Sequence, residues 1–262
     1  MEVYRSTGAP AVLYRTDGTP VSEGGGPVDP PGPLTAWRAL LAAADTTHAV
    51  MVAAGDSLTD MDATSIDSTG WTANLARQLT SHTPGTVDFH DVGALPGWAP
   101  AWGAAGVHIV NVAISGRTSY NYVHATETIP QIVAAGPTIV THMIGMNDYN
   151  FSLRTPVQVA DEIVTRMGMI DTALTDVGKD LPAHVVMVEP RDASLRPEQP
   201  FDWWDSYGTE LARIVNADRT RRILVNIDQA FGDTPGLRGP DDIHLTTAGY
   251  QVVADTMLSA LI

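Results

Sequence analysis

Gly55-Asp56-Ser57-Leu58-Thr59-Asp60 follows directly on a short apolar run, His48-Ala49-Val50-Met51-Val52-Ala53-Ala54. That run is long enough for one buried strand, and Gly-Asp-Ser then breaks it. A serine at the C-terminal tip of a parallel strand faces the crevice in which α/β proteins bind ligands. Serine is a poor nucleophile until a neighbouring base takes its proton. Imidazole titrates near neutral pH and can both take and return that proton. His244 is placed for such a role near the C-terminus, with Asp241 and Asp242 just before it. Serine, histidine and aspartate together are the residue types of nucleophilic acyl transfer.

Two more segments lie between these ends. Asn111-Val112-Ala113-Ile114-Ser115-Gly116-Arg117-Thr118-Ser119 follows a strand-like stretch at 107–110, and Ile144-Gly145-Met146-Asn147-Asp148 follows another at 138–143. The last segment is Asp241-Asp242-Ile243-His244-Leu245-Thr246-Thr247-Ala248-Gly249-Tyr250. Taken in order, the four segments resemble the SGNH hydrolases, the GDSL family of esterases and lipases. The letters of that name match Ser57, Gly116, Asn147 and His244, and the resemblance spans roughly residues 47–262. Each motif alone is a weak signal. Four in this order, each after a predicted strand or before a predicted helix, are a strong one.

The resemblance implies roles for matching positions. Ser57 is the nucleophile and His244 the general base. Asp241 precedes the histidine by three positions, and the family turn would bring its carboxylate to the imidazole Nδ1. Asp242 is the rival orienter, in second place. The oxyanion hole would combine the Ser57 and Gly116 backbone N–H groups with the Asn147 side-chain amide. A glycine lets substrate approach the backbone, and an asparagine amide donates without carrying charge. Asp56 and Asp148 are read as supports that hydrogen-bond nearby backbone. No His/Cys/Asp cluster with metal-ligand spacing stands out, and the family needs no metal, so no cofactor is expected. The α/β-hydrolase elbow Gly-x-Ser-x-Gly is absent around Ser57, where no second glycine follows.

These residues need elements to position them. Apolar periodicity predicts helices over 34–44, 70–81, 155–177, 204–220 and 246–261 and strands over 49–54, 107–113, 138–144, 183–188 and 223–227. Thr246 or Thr247 can cap the last helix, just after His244. Five short apolar runs separated by helices imply an α/β fold with a five-stranded parallel sheet covered on both faces. The family resemblance sharpens this to a flavodoxin-like three-layer α/β/α sandwich with its site at the strand C-terminal ends.

Residues 1–34 read as an N-terminal arm and linker before a hydrolase domain at 35–262. Val3-Tyr4-Arg5-Ser6-Thr7-Gly8-Ala9-Pro10 is echoed ten positions on, which suggests a β-hairpin or two similar strand-turn units. Gly24-Gly25-Gly26-Pro27 and Pro30-Pro31-Gly32-Pro33 follow as a flexible-then-stiff linker. The arm is either an ordinary ordered arm or a tether to an oligomer or larger assembly, such as a virion tail.

Composition bounds the partners. A net charge of −15 argues against nucleic acid or an anionic membrane surface as a ligand. With no cysteine, disulfides, thiol catalysis and Cys-based zinc sites are excluded. The N-terminus lacks the basic and apolar regions of a signal peptide, and no apolar run approaches the roughly 20 residues of a membrane span. Localisation stays open between the cytoplasm and an extracellular or virion-associated setting.

Several side chains are weighed on both sides. Arg117 and Tyr149 closely follow the matched Gly116 and Asn147, so they are pocket-wall candidates or solvated loop side chains. Trp203 and Trp204, in the loop after the fourth predicted strand, could stack on a sugar or acyl chain, or pack beneath a long loop. The stretch 95–106, with Trp98 and Trp102, is a lid or plain surface. His48, His82, His90, His108, His124, His142 and His184 lack an acid at family spacing and read as structural, with His142 near enough to Asn147 to line a floor. The expectation is a serine esterase acting on a small-molecule or glycan ester through an acyl-enzyme, with a carbohydrate O-acetyl ester as the substrate class. The alternatives are a short-chain lipase or thioesterase, and a non-catalytic binding module of a larger assembly such as a phage tail.

Overall fold

A strand buried on both faces must be apolar along its whole length. His48–Gly55 (β1), Gly106–Asn111 (β3), Ile139–Met143 (β4) and Ala183–Val188 (β5) are buried at nearly every position. Arg222–Asn226 (β6) closes one edge of the sheet. The computed structural model describes residues 32–61, 64–192, 198–200 and 202–262. The expected hairpin and most of the linker lie outside the described residues.

With Thr86–Asp91 as β2, the sheet has six strands, one more than expected, in the order β2-β3-β1-β4-β5-β6, and every pairing is parallel. The unpredicted strand is β2, which adds to β3 at the other edge. It escapes a search for apolar runs because only Val87 and Phe89 are apolar, and its other four residues are polar. Edge strands carry such polar faces. Without β2, the five predicted strands run in the flavodoxin order 2-1-3-4-5, and the connections diverge between β1 and β4.

Helices cover both faces. Thr35–Ala42 (α1) packs on β1, and Arg38 donates from its guanidinium to the Ala260 and Leu261 carbonyls at the end of Thr247–Leu261 (α9). Trp71–Leu79 (α3) packs on α9, as does Ile227–Phe231 (α8). The other group gathers around the long helix Pro156–Asp176 (α6), which meets Ser119–His124 (α4), Ile129–Ala135 (α5) and Trp203–Asn216 (α7). Thr155 caps α6, accepting the Gln158 N–H while the Gln158 side chain reaches back. Thr246 caps α9, accepting the Gly249 N–H at 3.2 Å.

One close approach sets the geometry ahead of Ser57. A Cβ on Gly55 would stand 2.3 Å from the Met143 carbonyl oxygen and 2.9 Å from the Thr59 hydroxyl. Only glycine lets the ends of β1 and β4 come this near. Asp56 N–H then donates to the Met143 carbonyl, carrying the β1–β4 pairing to the residue before Ser57.

Candidate active site

Ser57 opens a one-turn helix, Ser57–Asp60 (α2), at the carboxyl end of β1. Asp56 caps it, its Oδ1 accepting the Leu58 N–H at 3.0 Å. The cap anchors the nucleophile candidate on the backbone of a central strand.

His244 reaches the same place from the far end of the chain. Its loop is pinned by the Gly239 N–H on the His244 carbonyl at 2.7 Å and the Thr246 N–H on the Leu237 carbonyl at 3.0 Å. Asp241 Oδ1 accepts the backbone N–H groups of Ile243 and His244 at 3.1 and 3.0 Å. Its Oδ2 lies 2.6 Å from His244 Nδ1, and His244 Nε2 lies 3.1 Å from Ser57 Oγ. An ionised Asp241 accepts the Nδ1 proton, which leaves the Nε2 lone pair facing the hydroxyl. Burial works to raise the Asp241 carboxyl, but the hydrogen bonds from His244 and from the two backbone N–H groups outweigh it and hold it below the usual range. Asp242 sits at φ +59°, exposed, and makes no hydrogen bond to His244.

Asn147 follows β4, beside β1 in the sheet. Its Nδ2 donates to the Arg117 carbonyl at 2.9 Å and to Asp56 Oδ2 at 3.2 Å, so both amide hydrogens have protein acceptors. Gly116 is exposed at φ +77°, with nothing within 4 Å of the place a Cβ would take.

Carboxylates brace the three loops against each other. Asp60 Oδ2 accepts the Ser115 N–H at 2.8 Å, tying α2 to the Gly116 loop. Asp148 accepts the Ser119 N–H at 2.7 Å and the Ser119 hydroxyl at 2.8 Å, tying that loop to the Asn147 loop. Glu189, at the end of β5, accepts the Met146 N–H at 2.5 Å. Asp60, Ser115, Ser119 and Glu189 are not picked out by the sequence, since nothing in their spacing shows which loops meet.

Asp56, Asp148 and Glu189 are all fully buried. Burial first, then the charge of Asp148, pushes the Asp56 carboxyl up to about 7 against its hydrogen bonds. Burial, and then the charge of Asp56, raises Glu189 well above the usual carboxylate range. Asp148 is raised too, chiefly by burial.

The pocket-wall candidates are placed differently from expectation. The Arg117 guanidinium turns to Glu127 and the Ala125 carbonyl and is nearly buried. Trp203 and Trp204 lie in the first turn of α7, not in a loop, with 1% and 8% of their surface exposed. Their rings pack against Tyr149 at 5.3 and 5.0 Å between centroids, and Trp203 stacks on Tyr207 at 5.1 Å. Burying so much aromatic area beneath the Asn147 loop leaves little of it for a substrate. His142 is likewise buried, between the Tyr122 hydroxyl at 2.7 Å and His184 at 2.9 Å. Trp98 and Trp102 pack over His90 and His108 on the β2–β3 side of the sheet.

The aromatic groups that do face solvent stand elsewhere. Phe151, 71% exposed, lies in the π-helical turn Asp148–Ser152 directly after Asn147, and Leu153 follows it, also exposed. Tyr120, also exposed, is in α4, four positions after Gly116. An open groove lined by Thr118, Tyr120, Asn121, Leu153, Arg154 and Gln158 runs between these segments.

Comparison with known proteins identifies a family and a shared fold. The family described as GDSL-like lipase/acylhydrolase matches residues 51–257. Similar solved structures include a carbohydrate esterase of family 3 from Talaromyces cellulolyticus, at TM-score 0.60 and 20% identity over 81% of this chain and 96% of that one. They also include the carbohydrate acetylesterase Est24 from Sinorhizobium meliloti, at TM-score 0.56 and 17% identity over 81% and 98% of the two chains. An acetyl xylan esterase from Geobacillus stearothermophilus superposes at TM-score 0.54 and 19% identity, over 82% and 95%. Comparison with curated protein sequences gives no match.

Proposed function

The chain belongs to the GDSL-like lipase/acylhydrolase family, and from that premise we propose how this esterase divides the work among its residues and which esters it takes. Ser57 Oγ attacks the ester carbonyl carbon while His244 Nε2 takes the hydroxyl proton. Asp241 holds the imidazole in the required tautomer and stabilises the imidazolium that forms. The carbonyl oxygen becomes an oxyanion facing the Ser57 and Gly116 backbone N–H groups and Asn147 Nδ2. Asn147 then exchanges the Arg117 carbonyl for the substrate oxygen and keeps Asp56 as its anchor. As the tetrahedral species collapses, His244 returns the proton to the departing alcohol, leaving an acyl group on Ser57. Water attacks that ester by the same route in reverse, which frees the acid and the serine. The observation that carries this reading is the line from Ser57 Oγ through His244 to Asp241, at 3.1 and 2.6 Å.

For the substrate we propose an O-acetylated carbohydrate. The exposed Tyr120 supports it as a polar edge beside the Gly116 loop, its ring being stacked on His124 at 3.9 Å with the Arg154 guanidinium over it. Similar solved structures include a carbohydrate esterase, a carbohydrate acetylesterase and an acetyl xylan esterase. The second reading, a short-chain lipase or thioesterase, is favoured by the apolar pair Phe151 and Leu153, exposed next to the Asn147 loop.

Hydrolysis of p-nitrophenyl esters from acetate to decanoate, with Ser57→Ala in parallel, tests both parts. Turnover that peaks at acetate and vanishes in the variant is the expected result, to be followed by acetate release from acetylated oligosaccharides. A peak at longer chains transfers the assignment to the second reading. Turnover that survives Ser57→Ala overturns the mechanism.

A further inference from the structure

We propose that the sheet carries a second, non-catalytic site, which binds a transition-metal dication of the zinc class through Asp88, His90 and His108. All three side chains share one face. Asp88 and His90 are two apart on β2, and successive strand residues alternate faces. Asp88 stands level with His108 on β3, and His108 level with Val50 on β1. One ligand atom from each of the three lies within 4.8 Å of the others. His108 Nδ1 and Asp88 Oδ2 are already 3.5 Å apart. Ligand atoms around one zinc ion stand roughly 3.3 Å from each other, given metal–ligand distances of about 2.0–2.2 Å. A small rotation of the half-exposed Asp88 and of His90 closes the set.

The second observation is a pair of buried ring nitrogens without hydrogen bonds. His108 is 1% exposed, yet its Nδ1 has no hydrogen bond, and neither has His90 Nε2. Buried polar atoms are normally satisfied, and each exception asks for an explanation. The other nitrogen of His108 is engaged, with Nε2 lying 2.9 Å from His48 Nδ1. If Nε2–H donates to His48, the Nδ1 lone pair points toward Asp88. Metal-bound imidazoles are held in this way, by a hydrogen bond from the ring nitrogen that does not ligate.

The chemistry of the set selects the ion. Two imidazoles and one carboxylate suit zinc and its neighbours, whereas magnesium and calcium take oxygen ligands. Water reaches the remaining positions through Asp88, whose side chain is 52% exposed. Trp102 stacks on His108 at 4.2 Å, and Trp98 and Trp102 face His90, so the segment between β2 and β3 covers the site. At about 3.3 Å per strand residue, the level of Val50 lies about 17 Å from the end of β1 at Gly55, which Ser57 follows. The ion would cross-link the edge strand to β3 and pin the covering segment, with no part in ester chemistry.

The test uses tag-free protein stripped with a chelator. Zinc binding is followed by calorimetry, cobalt binding by its visible absorption, and both by the melting temperature. Asp88→Asn and His90→Gln are the variants, because both positions are partly exposed and tolerate replacement better than buried His108. Wild type is expected to bind zinc, to melt higher with it, and to show no such shift with magnesium. Each variant is expected to bind at least tenfold more weakly and to lose the shift. Zinc can also meet His244 and Asp241, so the variants, not stoichiometry, assign the site. Absence of zinc binding, or equal binding and melting shifts in wild type and both variants, overturns the proposal.

Discussion

Asp241 holds His244 at two points, with one carboxylate oxygen 2.6 Å from the ring Nδ1 and the other accepting the backbone N–H of the same residue at 3.0 Å. The orienting contact is therefore contained within one turn of chain. Loss of the Nδ1 contact should strand the base in the wrong tautomer. Asp241→Asn is expected to lower kcat by about 10⁴-fold, the scale seen when a triad aspartate becomes asparagine. Asp242→Asn should change kcat only a few fold, because that side chain does not touch the imidazole. Steady-state kinetics of both variants on p-nitrophenyl acetate check this, and the reverse order would transfer the role to Asp242.

Asn147 is anchored by Asp56 and gives its other amide hydrogen to the Arg117 carbonyl, the partner that substrate would replace. Asn147→Ala removes the proposed side-chain oxyanion donor, and such a loss typically costs about 10²–10³ in kcat. KM should move little, since the contact strengthens only as charge develops on the carbonyl oxygen. A change confined to KM would place Asn147 in ground-state binding instead.

The buried acids make stability depend on pH. Glu189 is raised far above its ordinary value, and Asp56 is raised to about 7. Between the ordinary and the raised value the folded chain holds a proton that the unfolded chain has released. Stability therefore falls as pH rises through that window. Glu189→Gln keeps an acceptor for the Met146 N–H and removes the acid. Melting temperatures from pH 5 to pH 8 should decline less in Glu189→Gln than in wild type. An equal decline would mean that Glu189 is not protonated in the folded protein.

Gly55→Ala tests the close approach ahead of the nucleophile. The added carbon would press on the Met143 carbonyl at 2.3 Å, so β1 and β4 must separate. Overpacking of this kind costs about 1–3 kcal/mol. Chemical denaturation should show that loss, and turnover should fall with it because Ser57 moves with the strand end. Unchanged stability would show that the strand ends yield without cost.

Some of this was legible in the chain because it is local. The apolar run ahead of Gly55 marks β1, and Thr246 caps α9 where helix spacing begins. Strand β2 was not legible, because two apolar residues among six do not make a run. Asp88 carries no signal with it and His90 reads as structural, since their meeting with His108 exists only once β2 lies beside β3. Trp203 and Trp204 fall at the junction of a predicted loop and a helix expected only from 204, one position after α7 begins. Their burial against Tyr149 and Tyr207 depends on how α7 packs, which no spacing along the chain reports.

The sequence by itself determined the groups and the short-range geometry: a serine at the end of an apolar strand, an aspartate three positions before a histidine, and a cap that starts α9. These follow from residue types within a few positions of each other. Only the tertiary structure decided which of them meet. Ser57 and His244 are 187 positions apart and come to 3.1 Å because the strand order puts β1 at the centre of the sheet, where the α9 loop can reach it. The proton affinities of Asp56 and Glu189 were decided there as well, since burial sets them, and burial is a property of the packed chain.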